Sequence, residues 1–227
     1  MSASVAEPIR IDFVSDVACP WCAVGLRALE EAMARVPGLQ VDLHFQPFEL
    51  NPQMPAGGED AVQHLTRKYG ISAEQAARNG EAISQRGAEL GFEFRMDRRR
   101  QVYNTFDAHR LLHWAGLEGL ASQLALKHRL LRAYFTDGED VSSAAVLVRL
   151  AGEAGLDEAR AAGILGSDEY AGAVREQERF YAERGITAVP SVIFNDRHLI
   201  QGGQPVANFE QALRQLAGLQ APSASQD

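Results

Sequence analysis

The chain has two cysteines, Cys19 and Cys22, which stand two residues apart in the run Cys-Pro-Trp-Cys. A thiolate is the nucleophile of disulfide exchange, and a second thiol one helical turn away can close a small disulfide with it. A helix beginning at this run would bring its free N–H groups and the positive end of its dipole to Cys19, which favours the thiolate. Pro20 suits the first helical turn, where no backbone N–H is needed. The spacing therefore predicts a redox-active dithiol, with Cys19 as nucleophile and Cys22 as resolving thiol.

Other uses of such a pair are a structural disulfide, inert buried thiols or half of a zinc site. A disulfide scaffold is typical of small, cysteine-rich secreted chains, whereas this chain has 227 residues and two cysteines. A zinc site needs two further ligands, and the sequence has no second Cys-x-x-Cys. His109 and His113 have an i, i+4 spacing that could complete such a site. We favour redox chemistry and expect no bound metal.

The composition argues against several classes of partner. With 227 residues, 46% of them hydrophobic, the chain can bury one or two packed cores. The net charge of -8 and the isoelectric point near 5.3 argue against nucleic-acid binding, and the short basic run at 98–100 is expected to be a solvated or salt-bridged surface. No stretch approaches the roughly 18–20 apolar residues of a membrane span, and the N-terminus lacks the basic and apolar regions of a signal peptide. We therefore expect a soluble, cytoplasmic protein that binds neither nucleic acid nor membrane.

The elements that must position the dithiol follow from the apolar patterns on either side of it. Residues 9–14 form an apolar run that predicts a strand, and residues 20–36 have the spacing of a helix that ends at Pro37 and Gly38. Apolar residues alternate again at 41–48, which predicts a second strand. Because a helix connects these two strands, we expect them to be parallel.

Helical patterns fill the middle of the chain, and strands return near its end. A helix is expected to start at Asp60 or a neighbour, and residues 72–75 (Ser-Ala-Glu-Gln) have the form of a helix entry with a capping glutamine. Further helices are predicted at 101–115, 118–135, 142–154, 157–164 and 167–184. The remaining predicted elements are strands at 192–194 and 199–200 joined by a turn at 195–198, and a last helix at 206–217.

This order of elements predicts an α/β fold with a thioredoxin-like core, β-α-β followed by β-β-α, and a large all-helical insertion. The core is expected to be discontinuous and to comprise residues 8–58 and 185–219. The insertion is then 59–184, and flexible termini are predicted at 1–7 and 220–227.

Four segments in this order resemble one known family. They are Ser-Asp-Val-Ala-Cys-Pro-Trp-Cys at 15–22, Pro-Phe-Glu-Leu-Asn-Pro at 47–52, Asn-Thr-Phe-Asp-Ala-His-Arg at 104–110 and Gly-Ile-Thr-Ala-Val-Pro-Ser at 185–191. The chain resembles the DsbA-like thiol:disulfide oxidoreductases of the thioredoxin superfamily, in particular the FrnE-type branch, over about residues 9–217. It is also similar to the hydroxychromene-carboxylate isomerases and kappa-class glutathione transferases, which activate a bound glutathione and typically carry a serine at the position of Cys19.

The resemblance implies roles for residues around the dithiol. It implies a cis peptide bond before Pro190, in a loop that faces Cys19, with the Val189 backbone able to pair with an extended substrate. An ordinary trans proline at the start of a strand is the alternative. Pro20 and Trp21 would contact the substrate and influence the redox potential.

Other candidate site residues have two interpretations each. Asp16 could relay a proton to the leaving thiolate, or stabilise the turn before the helix, which we favour. His44 is expected to be a packed or exposed strand residue rather than a proton shuttle. Asn104, His109 and Arg110 could bind a substrate or glutathione above the dithiol, but we favour hydrogen bonds that hold the insertion to the core. Three aromatic residues could line an apolar cleft between the two parts, namely Trp21, Phe48 and Phe106.

The resulting hypothesis is a thiol-disulfide oxidoreductase or isomerase that acts on protein or small thiol substrates. No tightly bound cofactor is expected, although glutathione could serve as redox co-substrate, and glutathione or thioredoxin could be a partner. The alternatives are a glutathione-dependent isomerase or transferase of the same fold, and a non-catalytic, chaperone-like binder. The sequence leaves open the substrate, the direction of electron flow, and whether the protein is a monomer or a homodimer.

Overall fold

The computed structural model describes residues 7–55 and 57–219, so the predicted flexible tail at 220–227 and nearly all of 1–7 lie outside the described residues. The main sheet has four strands in the order β2-β1-β5-β6. Their bounds are Ile9–Ser15 for β1, Val41–Pro47 for β2, Ser191–Phe194 for β5 and His198–Gln201 for β6. β1 pairs parallel with β2 and antiparallel with β5, and β6 is antiparallel to β5.

Strand β1 is the buried centre that leads into the dithiol. Arg10 is its one exposed residue, as expected for a strand covered on both faces. Phe13 of β1 stands opposite Phe45 of β2, and their rings meet edge to face with centroids 5.8 Å apart.

The two halves of the predicted core are confirmed. Helix α1 (Pro20–Ala34) connects β1 to β2, and helix α9 (Val206–Leu216) packs against α1. Between β5 and β6 the chain turns through Asn195 and Asp196, whose φ angles of 49° and 56° are the left-handed values of a tight hairpin turn. The structure therefore has the β-α-β and β-β-α order of the thioredoxin-like fold with a helical insertion.

The insertion is mainly helical. Asp60 caps its first helix by accepting a hydrogen bond from the Gln63 N–H at 2.9 Å, as predicted. The helices are α2 (Ala61–Tyr69), α3 (Ala73–Glu89), α4 (Phe106–Glu118), α5 (Leu120–Arg132), α6 (Ala144–Glu153), α7 (Glu158–Leu165) and α8 (Ala171–Glu183). A π-helical turn, Ala133–Asp137, follows α5.

The insertion also contains one short pair of strands, which the sequence patterns did not predict. Strand β3 (Glu59–Asp60) pairs antiparallel with strand β4 (Gln101–Val102), and Val102 is buried against Met54 and Ala61. The helix predicted at 101–115 therefore begins only at Phe106. Tertiary packing of a short apolar patch outweighs the helical pattern at this point.

Three other helix boundaries also differ from the prediction. The segment 118–135 is interrupted at Gly119, with φ 146°, and ends in the π-helical turn. The helix predicted at 167–184 starts at Ala171, because Tyr170 adopts a left-handed φ of 60°. Ser72 caps α3 as predicted, but the Gln75 side chain donates to Asn79 instead of returning to the cap.

The outer edge of β2 is covered by a side chain of the insertion. Gln123 of α5 accepts a hydrogen bond from the Phe45 N–H at 2.9 Å and donates one to the Phe45 carbonyl at 3.1 Å. The same amide also donates to the Leu112 carbonyl of α4 at 3.1 Å. This side chain therefore joins the insertion to the sheet in the way that a further strand would.

One apolar cluster runs from the sheet into the insertion. It contains Phe13 and Leu29 of the core part together with Leu111, Leu126 and Phe135 of the insertion. The division at 58/59 and 184/185 into separate domains remains a prediction. Within residues 7–55 and 57–219, no helix is both long enough and apolar enough to cross a bilayer.

Candidate active site

The Cys-Pro-Trp-Cys run forms the start of α1. Cys19 is the residue that precedes the first turn, and Pro20 opens that turn. The Cys19 N–H donates to the Asp16 carbonyl at 3.2 Å, and the Cys22 N–H donates to the Cys19 carbonyl at 3.0 Å. Both thiols are free, and Cys19 is 5% exposed while Cys22 is fully buried. The nucleophile candidate therefore lies at the surface edge and the resolving candidate beneath it.

The two thiols have opposite acidities. A hydrogen bond from the Cys22 thiol lowers the pKa of Cys19, and the N–H groups of Cys22 and Trp21 add to this against the opposing effects of burial and of the Asp16 charge. Burial raises the pKa of Cys22 well above its ordinary value, and the neighbouring Cys19 raises it further. The arrangement favours a thiolate at Cys19 and a protonated thiol at Cys22, which agrees with the roles predicted from the spacing.

The loop before β5 faces Cys19. The Val189–Pro190 peptide bond is cis, as the resemblance implied, and the Cys19 thiol donates to the Val189 carbonyl at 3.7 Å. Gly25 of α1 permits this approach, because a Cβ there would lie 3.0 Å from Pro190 Cγ. Trp21 is 41% exposed beside the thiol. The exposed Trp21 and the half-buried Val189 thus lie beside Cys19, while Pro190 is buried, and an extended chain could pair with the Val189 backbone.

Asp16 is buried under the turn and holds it in place. Its Oδ1 accepts the Ala18 N–H at 3.1 Å and its Oδ2 accepts the Leu50 N–H at 2.6 Å, while His109 Nε2 lies 3.6 Å from Oδ1. Burial raises the pKa of Asp16, but His109 and the two N–H groups outweigh burial, so the pKa is lowered. These two backbone contacts favour the turn-stabilising role over the proton relay.

Most of the predicted cleft residues lie away from the dithiol. Asn104 Oδ1 accepts the Phe106 N–H at 2.9 Å at the start of α4. The buried Arg110 donates to the Glu169 carbonyl at 2.9 Å and to other backbone carbonyls between α7 and α8. Asn104 and Arg110 therefore hold the insertion together internally, and of the three polar candidates only His109 reaches the surroundings of the dithiol.

The aromatic candidates are separated as well. Phe48 packs in a cluster with Val14, Tyr181 and Ile186, and Val189 of the loop that faces Cys19 belongs to the same cluster. Phe106 lies beneath Arg175, with the guanidinium carbon 3.8 Å from the centroid of the Phe106 ring. Trp21 is an exposed neighbour of Cys19 in the chain, and Phe48 lies near the site through its cluster with Val189.

A cavity of about 150 Å³ lies between β2 and helices α4 and α5. His113 bonds Gln177 across this space at 3.3 Å rather than joining the cysteines. Across the described ranges, no group of three or more histidines, cysteines or acidic residues is placed to hold a metal ion. The residues that line this cavity include His44, Phe45, His109, His113, Gln123 and Lys127.

Sequence reasoning missed Lys127. Its side chain is fully buried, its Nζ lies 5.6 Å from the Phe45 ring centroid, and it has no hydrogen-bond partner within residues 7–55 and 57–219. Burial lowers its pKa, while the charges of Cys22, Asp16 and Cys19 act in the opposite direction. The sequence did single out this residue, because Lys68 and Lys127 are the two lysines among its 22 lysine and arginine residues. Lysine can release its proton when buried, whereas arginine cannot.

A family model described as a DSBA-like thioredoxin domain matches residues 10–214. The chain belongs to this family. The uncharacterized protein YwbO of Bacillus subtilis is 29% identical over 206 residues, which are 90% of this chain and 96% of YwbO. A solved structure, the probable DsbA oxidoreductase SCO1869 from Streptomyces coelicolor, superposes with a TM-score of 0.86 at 35% sequence identity. The match covers 96% of this chain and 94% of the SCO1869 chain.

Other solved structures share the fold at lower identity. The cytosolic disulfide reductase DsbM from Pseudomonas aeruginosa, solved with GSH, superposes with a TM-score of 0.63 at 20% identity. The match covers 92% of this chain and all of that one. At this identity the likeness concerns the fold, and the chain thus has the fold of DsbA-like thiol-disulfide oxidoreductases.

Proposed function

We propose that this chain is a thiol-disulfide oxidoreductase that exchanges disulfides through Cys19 and Cys22. The observation that carries the proposal is the position of Cys19, which precedes α1 and has a lowered pKa, with Cys22 behind it and the Val189 carbonyl 3.7 Å away. A thiolate in this position is a nucleophile and also a good leaving group. The strand-like backbone at Val189 supports a substrate in extended conformation.

Each turnover has two exchanges. The Cys19 thiolate attacks one sulfur of a substrate disulfide, which breaks that disulfide, forms a mixed disulfide and releases one substrate thiolate. Cys22 then attacks the Cys19 sulfur, so the Cys19–Cys22 disulfide forms and the second substrate thiolate leaves. Two electrons pass from the dithiol to the substrate, and the reverse sequence oxidises a substrate dithiol.

We infer that the favoured direction is reduction in the cytoplasm, with glutathione as redox co-substrate and without a tightly bound cofactor. DsbM, a cytosolic disulfide reductase solved with GSH, has the same fold, which supports this direction by analogy. Protein disulfides or small disulfides would be the substrates, and glutathione or thioredoxin would restore the dithiol.

The first test is the redox equilibrium of the pair against a series of glutathione buffers, read by alkylation of free thiols. We expect one reversible two-electron transition, with the Cys22→Ser variant instead accumulating a mixed disulfide at Cys19. Two thiols that stay unreactive across the series would contradict the proposal. Glutathione conjugation that survives Cys19→Ser would favour a glutathione-dependent transferase, and chaperone activity that survives loss of both thiols would favour a binding protein.

A further inference from the structure

We propose that the cavity between β2, α4 and α5 binds a small carboxylate, with the ammonium group of Lys127 as the positive charge that holds it. The ligand class is a monocarboxylate with a short apolar body of a few carbon atoms. This site is separate from disulfide exchange, because neither Cys19 nor Cys22 lines the cavity.

The cavity has the size of a site for a small ligand and reaches the protein surface. A cavity of about 150 Å³ has room for a molecule of about six non-hydrogen atoms, such as benzene. Leu117 belongs to the wall and is 65% exposed, so the cavity meets solvent near the end of α4. A ligand of this size can therefore reach the interior wall from solvent.

The ionisable side chains of the wall are all basic. Lys127, His44, His109 and His113 line the cavity, and no acidic side chain of the described residues does so. The chain as a whole has a net charge of -8, so this wall departs from the charge balance of the molecule. A concave surface of one sign of charge attracts ligands of the opposite sign.

The side chain of Lys127 lacks the partner that a buried charge needs. It is fully buried, and its Nζ has no hydrogen-bond partner within residues 7–55 and 57–219. Its neighbour is the ring of Phe45, which lines the same cavity and has its centroid 5.6 Å from Nζ. An ammonium group in such a place requires an opposite charge and hydrogen-bond acceptors. A carboxylate in the cavity would supply both.

The described part of the protein does not provide this partner. The charges of Cys22, Asp16 and Cys19 act on Lys127, but none of the three groups is hydrogen-bonded to Nζ. The two Asp16 oxygens accept the N–H groups of Ala18 and Leu50 instead. The acceptor must therefore be water or a ligand in the cavity, and of these only an anion also offsets the charge.

The remaining wall favours a carboxylate with an apolar body over an inorganic ion. Gln123 has no donor left for a ligand, because its Nε2 donates to the carbonyls of Phe45 and Leu112. Phe45, Leu112 and Leu117 also line the cavity. Phosphate has acceptor oxygens on all sides, and these apolar residues would leave some of them without donors.

The first test uses the two lysines of the chain as separate NMR probes. In protein labelled with carbon-13 at lysine alone, Lys127 and the exposed Lys68 should each give one set of signals, which Lys68→Met assigns. We expect butyrate to shift the Lys127 signals to saturation and to leave those of Lys68 unchanged, at an ionic strength held constant with sodium chloride. Butyramide, a neutral molecule of the same size, should need at least about a tenfold higher concentration.

Three results of this titration would overturn the proposal. The first is no movement of the Lys127 signals up to about 20 mM butyrate, since a ligand of six non-hydrogen atoms is expected to reach a dissociation constant of about 1 mM. The second is equal binding of butyramide, which would show that the charge has no role. The third is tighter binding of inorganic phosphate than of butyrate, which would contradict the carboxylate class.

A second test compares melting temperatures. A ligand that binds the folded state alone stabilises it, so butyrate should raise the melting temperature of the wild type. It should do the same for Arg129→Met, which removes a cation from the surface of α5, but not for Lys127→Met. An equal rise in Lys127→Met would overturn the role of Lys127.

The variant is not expected to misfold, because it removes a buried amine without a partner. Without butyrate, Lys127→Met should melt at or above the wild-type temperature. The NMR titration is made on the wild type and decides the question without this variant. Neither test involves a thiol reaction, so a failure of the disulfide-exchange function and a failure of the carboxylate site are separate results.

Discussion

Among single residues, the decisive contrast is between two thiols that share one turn of helix. Cys19 touches the surface and has a lowered pKa, whereas Cys22 is buried and has a raised one. The types and spacing of these residues were readable from the sequence, as was Pro190. Lys127 was not, because its burial over the Phe45 ring results from the packing of α5 beside β2, which no local pattern encodes.

We expect the redox midpoint to change slope with pH at the pKa of Cys19. Below that pKa, reduction takes up two protons with two electrons, so the midpoint falls by about 59 mV per pH unit; above it, one proton is taken up and the slope is about 30 mV. The measurement is a set of glutathione equilibria across pH. A slope that stays at about 59 mV per pH unit from pH 5 to 9 would contradict the lowered pKa of Cys19.

Asp16→Asn should separate acidity from stability. Because the Asp16 charge raises the pKa of Cys19, its removal should lower that pKa, measured by the ultraviolet absorbance of the thiolate. Because Asn cannot accept both backbone N–H groups at two oxygens, the free energy of unfolding should fall by about 1–3 kcal/mol at pH 7.

The stability loss should itself depend on pH. The folded pKa of Asp16 lies below its unfolded value, so the stabilisation is present above the unfolded pKa and is lost as pH falls through the folded one. The free energies of unfolding of the wild type and of Asp16→Asn, measured with urea, should therefore converge as the pH falls. A difference between the two that stays constant down to low pH would argue against a stabilising charge at this site.

Among the secondary structure elements, α5 links the insertion to the sheet at one point. The sequence predicted a helix here, but not that Gln123 would replace a strand at the edge of β2, since side-chain pairing across 78 residues leaves no periodic signal. The pair β3 and β4 was missed for a similar reason, because strands of two residues are too short to show alternation. By contrast, β1 and α1 were predictable because a long apolar run and Pro20 set their boundaries.

We expect Gln123→Leu to lower the free energy of unfolding by about 2–6 kcal/mol. The change leaves both the N–H and the carbonyl of Phe45 buried without their partner, and each such group costs about 1–3 kcal/mol. Urea unfolding measures the loss. Gln75→Leu is the matched control, because that side chain bonds only surface neighbours and its loss should cost less than about 0.5 kcal/mol.

At the scale of the whole molecule, a single apolar cluster spans the core part and the insertion. The predicted boundaries treat 59–184 as a domain, but the shared cluster favours one cooperative unit. The sequence contains two tryptophans, Trp21 in the core part and Trp114 in α4, so each part has its own fluorescent probe.

In each of the variants Trp21→Phe and Trp114→Phe, we expect two probes to report the same denaturant midpoint. The probes are the fluorescence of the remaining tryptophan and the far-ultraviolet circular dichroism of that variant. An earlier transition reported by Trp114 alone would show that the insertion unfolds independently, as the sequence-based division predicts.

The edge residue Phe45 has two partners on the same face of α5. Gln123 pairs with its backbone and Lys127 lies over its ring, and these two residues stand four positions apart on one helix. A rotation of the helix must therefore disturb both contacts together, whereas a change in the ring affects only the contact with Lys127. Over evolutionary time the positions of Phe45 and Lys127 should covary, while Gln123 can stay the same because it contacts only the backbone of residue 45.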